Sequence, residues 1–258
     1  MIVGSTKEDL SIEKRVSITP ETAKNIINLG LKIYIENNYA SHIGIQDDEY
    51  KKVGVEIKNT SKEVLNTCNL LTKVNLPSDE EILNLKEKTI LVGMLNPSKN
   101  QNQLEKILKK NIYTFSLELL PRITRAQSMD VLSSQSNLAG YRSVVDSIYE
   151  FEKAIPMMMT AAGTIPAAKV LVIGAGVAGL QAIATAKRLG AIVSATDVRA
   201  ASKEQVESLG GKFLTVEQSE NLETKEGYAK EVSEDFKKKQ AEMMKEALKK
   251  NDIVICTA

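Results

Sequence analysis

The chain has one histidine, two cysteines and almost no net charge, and each scarcity removes a class of function. With 34 basic against 33 acidic residues in 258, it lacks the positive excess that a nucleic-acid partner would demand. Lysine runs such as Lys237-Lys238-Lys239 read as solvated helix faces. Cys68 and Cys256 lie far apart, in no CxxC or metal-ligand spacing, so they read as idle thiols of a reducing compartment and no metal is expected. Lys7, Glu8 and Asp9 interrupt the N-terminus before an apolar signal segment can form. No apolar run reaches the roughly 20 residues of a bilayer span. The single histidine, His42, stands before Ile43-Gly44 in an expected surface loop, a poor place for a general acid or base.

What is present is a strand, a glycine turn and a helix in immediate succession. Val170 to Ile173 is a short apolar run of the kind a strand buried on both faces shows. Gly174-x-Gly176-x-x-Gly179 follows, and Leu180 to Leu189 reads as a helix ended by Gly190. In such a unit the first glycine makes the tight turn and the second admits a pyrophosphate. The third lets the helix pack against the strand. The helix N-terminus offers N–H groups and partial positive charge to that pyrophosphate. Ala191 to Asp197 is the next strand, and Asp197 follows the last glycine at the roughly 20-residue spacing of a ribose-binding acid. Together these indicate a dinucleotide site with NAD preferred over NADP. Arg199 blunts that preference, because an arginine here can accept a 2′-phosphate.

The remaining chain is expected to be α/β: two Rossmann-like parallel-sheet domains with a cleft between them. Thr19 caps a helix with Pro20 at its first position and Gly30 after its end. Strands are expected at 31–36, 55–57, 70–74, 89–95 and 112–117, and helices at 47–53, 61–68, 79–86 and 99–110. Residues 1–126 form the first domain, 127–160 a long bridging helix and linker, and 161–258 the nucleotide domain. After helices near 202–209 and 235–249 and a strand at 212–216, Asp252 to Thr257 is only the fourth strand of a fold that usually has six. The second domain is therefore expected to be truncated, a piece of a longer protein.

Pro121-Arg122-Ile-Thr-Arg-Ala-Gln127-Ser-Met-Asp130, with Asn137-Leu-Ala-Gly-Tyr141-Arg, Thr196-Asp-Val-Arg199 and Gly227-Tyr228-Ala-Lys230, resembles the NAD(H)-binding subunit of proton-translocating NAD(P) transhydrogenases. The resemblance covers essentially the whole chain. Alanine dehydrogenases are related, and share the Glu13-x-Arg15-Val pattern and the context of Lys73. They carry a histidine after the strand at 89–95, where this chain has Gly93-Met94-Leu95-Asn96. Oxidising an amino acid requires such a group; passing hydride between two nicotinamide rings does not.

As bare residues, Arg122, Gln127 and Asp130 read equally as ligand-binding groups or as a solvated turn. The resemblance implies that Arg122 and Asp130 hold the nicotinamide end of NADH, with Ser133 beside the ring. Gln127 would reach toward NADP on a partner component. The cofactor-binding set it implies is Arg122, Gln127, Asp130, Ser133, Gly174, Gly176, Val177, Gly179, Asp197, Val198, Arg199, Gly227, Tyr228 and Gln240. Residues 217–234 read as a polar lid carrying Tyr228, or alternatively as a plain solvent loop. Arg15 and Lys73 are expected to persist as buried or cleft-lining cations. The resemblance further implies a homodimer that works with an NADP-binding and a membrane-spanning component, on the cytoplasmic face of the inner membrane. The alternatives are an alanine-dehydrogenase-like enzyme and a nucleotide-binding sensor without catalysis.

Overall fold

The computed structural model describes residues 1–121, 123–199, 201–216 and 234–257, with side chains omitted for 234–237. The chain divides into two compact units, Met1–Val131 and Leu132–Ala258.

The first unit is a strand–helix alternation: β1 (Ile2–Ser5), α1 (Pro20–Asn28), β2 (Lys32–Glu36), α2 (Asp47–Lys52), β3 (Glu56–Lys58), α3 (Ser61–Leu65), β4 (Leu70–Asn75), α4 (Asp79–Asn84), β5 (Ile90–Met94), α5 (Gln101–Lys109) and β6 (Tyr113–Ser116). Local chemistry sets the helix starts. Thr19 and Thr22 form a reciprocal capping box ahead of Pro20, and Ser78 and Glu81 do the same for α4. The six strands are parallel in the order β3-β2-β1-β4-β5-β6. One apolar cluster includes Val3, Ile18, Ile33, Ile35, Tyr39 and Tyr50; the other includes Leu65, Leu71, Ile82, Leu91 and Ile107. Tyr39 and Tyr50 meet edge to face at 5.9 Å, and the Tyr50 hydroxyl donates to the Ile18 carbonyl at 2.8 Å. Cys68 is fully buried in the second cluster, where burial pushes its thiol up to about 11.

The second unit contains α6 (Val131–Glu150, less its first residue), β7 (Met158–Thr160), β8 (Gly163–Ile165), β9 (Lys169–Ile173), α7 (Val177–Arg188), β10 (Ile192–Thr196), α8 (Ser202–Ser208), β11 (Lys212–Phe213), α9 (Glu234–Lys250) and β12 (Ile253–Cys256). Its parallel sheet runs β11-β10-β9-β12, so the fourth strand pairs with the first as the sequence predicts. Val144 of α6 enters the core with Val170, Val172, Ile183, Val193 and Ile255.

Four local expectations change. Ile2–Ser5 is a strand, too short for its alternation to stand out in sequence. Within the expected helix and linker at 127–160, the long helix runs only from Val131 to Glu150, and Thr124–Met129 winds as a 3-10 helix ahead of it. The strand expected at 212–216 is paired only at Lys212–Phe213. The segment near 162–166 is half of an antiparallel hairpin, β7–β8, whose six residues are all exposed.

Candidate nucleotide-binding site

The site is built where β9 leaves the sheet. Gly174 sits at φ +93°, a left-handed turn that only glycine adopts without strain, and its N–H donates to the Thr196 carbonyl at 2.8 Å. Gly179 is required for a different reason. A Cβ there would collide with the Gly174 carbonyl oxygen and lie 2.8 Å from its carbon and 2.9 Å from the Thr257 hydroxyl. That hydroxyl donates to the Gly174 carbonyl at 2.9 Å, so the end of β12 clasps the turn from the side. Thr257 was not among the residues expected from sequence; only the pairing of β12 with β9 places it there.

Gly176 behaves oppositely. Its φ is −75°, and among the described residues an added Cβ would find nothing closer than the Arg199 guanidinium at 4.0 Å. Neither backbone strain nor crowding by the described residues requires glycine at this position. Among the described residues nothing fills the space in front of it, as a ligand approaching the backbone would need. Gly176 is the N-cap of α7 without a side-chain cap, and the first intrahelical bond runs from Leu180 N–H to its carbonyl. The amides of Gly176 to Gly179 therefore precede the helical ladder, the arrangement that can bind an anion at a helix N-terminus.

Asp197 lies at the end of β10, its side chain 7% exposed. Its carboxylate accepts from the Ala175 N–H at 2.7 Å and from the Arg199 N–H at 2.8 Å. It also accepts from Arg199 Nε and Nη2, each at 2.9 Å. Burial works against ionisation, but the Arg199 and Ala175 hydrogen bonds outweigh it and hold the carboxyl below the ordinary carboxylate range. The acid is thus ionised, anchored to the turn, and masked by Arg199, whose side chain is one-third exposed. Val177 opens α7 and Val198 follows Asp197; both are exposed beside this turn.

The other expected residues are distributed differently. Ser133 is half-buried in the first turn of α6, and Gln240 is half-buried on α9. Among the described residues Gln240 makes no hydrogen bond to the turn. Gln127, exposed, and Asp130, half-buried, belong to the 3-10 segment of the first unit, where the Asp130 N–H donates to the Gln127 carbonyl at 3.3 Å. Arg122, Gly227 and Tyr228 lie outside the described residues.

The first unit carries its own charged cluster at the C-terminal end of β4. Lys73, 5% exposed, donates to both Glu81 oxygens at 2.9 and 3.1 Å and to the Lys7 carbonyl at 2.8 Å; Glu8 stands 3.9 Å away. Arg15 makes a bidentate pair with Glu13, at 2.8 and 2.6 Å. Both cations are paired with carboxylates of the chain itself. His42 is exposed, and its Nε2 bonds the Lys14 carbonyl at 2.8 Å, which commits that nitrogen as a donor. In the place of the histidine expected of amino-acid oxidation stand buried Leu95 and exposed Asn96, the latter at φ +46°.

Residues 4–139 match the family described as alanine dehydrogenase/PNT, N-terminal domain, and residues 143–258 match its C-terminal domain. The chain is 51% identical over 265 residues to an NAD(P) transhydrogenase subunit alpha of Rhodospirillum rubrum, covering 100% of this chain and 69% of that protein. It is 30% identical to alanine dehydrogenase of Methanococcus maripaludis, covering 83% of this chain and 58% of that one. The solved transhydrogenase of Sinorhizobium meliloti superposes with a TM-score of 0.86 at 44% identity, over 100% of this chain and 70% of that structure. The chain belongs to the alanine dehydrogenase/PNT family, with NAD(P) transhydrogenase alpha subunits as its high-identity relatives.

Proposed function

We propose that this chain is the NAD(H)-binding component of an NAD(P) transhydrogenase. The observation that carries the reading is Gly176, a glycine that neither strain nor packing among the described residues demands, at the N-terminus of α7. The pyrophosphate of NADH would lie against the Gly176–Gly179 amides, and the adenosine ribose against Asp197. Because Asp197 already accepts four hydrogen bonds, ribose hydroxyls must displace or share the Arg199 guanidinium. Bound NADH would supply the hydride, passing both electrons to an oxidised nicotinamide and ending as NAD⁺. No side chain need take or give a proton in that step, so what the protein supplies is position and exclusion of water.

The second nicotinamide would be that of NADP⁺ on a separate NADP-binding component, with Arg122, Asp130 and Ser133 positioning the donor ring and Gln127 reaching across. Tyr228 would close over the nucleotide, and Gln240 would add a contact. A membrane-spanning component would couple the transfer to proton translocation and hold this chain at the cytoplasmic face of the inner membrane. Two copies of the chain would pair. The β7–β8 hairpin supports pairing, since an isolated two-stranded hairpin exposing Met158, Met159 and Ile165 is marginal in water without a partner.

Alanine-dehydrogenase-like chemistry is the second reading. The family models cover both kinds of protein, but the absence of a suitably placed histidine and the internal neutralisation of Arg15 and Lys73 weigh against it. The test uses NADH tritiated at C4 and an added NADP-binding component loaded with NADP⁺. Label should appear in NADPH with none released to water. Reduction of pyruvate plus ammonia by NADH, without exchange into NADP⁺, would instead support the dehydrogenase. Gln127→Asn, one methylene shorter with the amide kept, should leave NADH affinity within about twofold. It should lower the transfer rate by roughly 10²-fold, the pattern of a lost positioning contact. Equal losses in binding and transfer would make Gln127 a plain ligand contact.

A further inference from the structure

Helix α6 carries Gly140 at its middle, buried and with φ outside the left-handed region. Its reason is a neighbour. A methyl group at this position would collide with the Ala178 carbonyl oxygen and lie 2.8 Å from its carbon and 3.0 Å from its Cα. All three are backbone atoms of the first turn of α7, so no side-chain rotation can relieve the contact. Thr257 and the close Gly174–Gly179 approach also hold this turn. The amides that precede the α7 ladder are therefore fixed between β12 and α6. Ser133 lies seven residues before Gly140, two helical turns, and so on the same face of α6 about 10 Å further along. Val144, one turn after Gly140 on that face, is anchored in the core.

We propose that Gly140 is a positioning residue for the nucleotide: its missing side chain sets how closely α6 approaches the phosphate-binding amides and, along the same face, where Ser133 stands. The proposal rests on the reading of the 174–179 turn as a nucleotide site. A side chain at 140 would lift α6 off the turn or tilt the first turn of α7. Either movement spoils the aim of the N–H groups, and hydrogen bonds weaken steeply with misalignment. Adenosine, which has no pyrophosphate, would meet only the Asp197 side of the site.

The test measures dissociation constants for NADH and for adenosine, with the thermal midpoint, in the wild type, Gly140→Ala and Val144→Ala. Gly140→Ala should weaken NADH at least tenfold while adenosine stays within twofold. Val144→Ala, which leaves a cavity in the same helix interface, should lower the midpoint and leave both affinities in place. If Gly140→Ala is too unstable to titrate at room temperature, the same titrations are run in the cold with a stabilising osmolyte and should show the same loss. NADH affinity within twofold of wild type in the variant titrated would overturn the proposal. So would equal losses for NADH and adenosine, because that is what a merely structural role gives. A wild type that fails to bind NADH would instead remove the site reading beneath it, and the proposal with it.

Discussion

Lys73→Ala is expected to destabilise the first unit by about 3–5 kcal/mol, the range for removing one partner of a buried ion pair. The ammonium donates to Glu81, to the Lys7 carbonyl and to the Thr6 hydroxyl, so its protons are all engaged. Without it, Glu81 and Glu8 would face each other in a region that hides both from water. The two acids are not equivalent. At Glu81, burial opposes ionisation but Lys73 and the Thr6 hydroxyl prevail and hold its carboxyl below the ordinary range. At Glu8, burial dominates over the attraction of Lys73 and raises it. The depressed acid contributes stability that is present above its ordinary value of 4.5 and lost as pH falls through its folded value. The raised acid carries a cost that grows as pH rises from 4.5 through its folded value. Glu8→Gln should therefore be neutral or stabilising at pH 7, with any gain vanishing in acid, while Lys73→Ala is severe. Urea unfolding read by amide exchange across β1 and β4 measures both. A loss under about 1 kcal/mol for Lys73→Ala would show that the pair adds little.

Asp197→Ala should weaken NADH by about 1–3 kcal/mol, the scale of a charged hydrogen bond left unmade. That corresponds to roughly 5- to 150-fold in dissociation constant. The substitution also releases the Arg199 guanidinium, which Asp197 holds through Nε and Nη2. A freed arginine beside the ribose can meet a 2′-phosphate, so NADPH should gain affinity as NADH loses it. Asp197→Ala should also lose the share of acid stability owed to a depressed carboxyl: present above its ordinary value of 3.8, gone as pH falls through its folded value. Titrating both nucleotides against wild type and variant measures the crossing. Unchanged NADH affinity in the variant would move the ribose away from Asp197.

The 174–179 turn was legible because its spacing is local. One strand, three glycines, one helix and one acid fall within 30 residues, and each spacing has a single mechanical reason. Thr257 and Gly140 were not legible as neighbours of this turn. Their roles arise from backbone approach between residues 83 and 38 positions apart, and neither a threonine nor a helical glycine advertises its neighbour. The hairpin at 158–165 escaped notice because no burial alternation marks a strand whose residues are all exposed. Lys73 was placed correctly as a retained cation, but its partner Glu81 sits in the capping box of α4, where the sequence offers a helix-start reason for the same residue. A residue with two jobs reveals only the nearer one. The 3-10 winding of 124–129 ahead of α6 was hidden likewise, since its residues fit a helical pattern without fixing which helix.

The most direct test is equilibrium titration of the wild-type protein with NADH and NADPH under identical salt and pH. An ionised Asp197 beside an open Gly176 predicts one NADH site per chain, with NADPH bound at least tenfold more weakly. Equal affinity for the two nucleotides, or binding of neither, would contradict it.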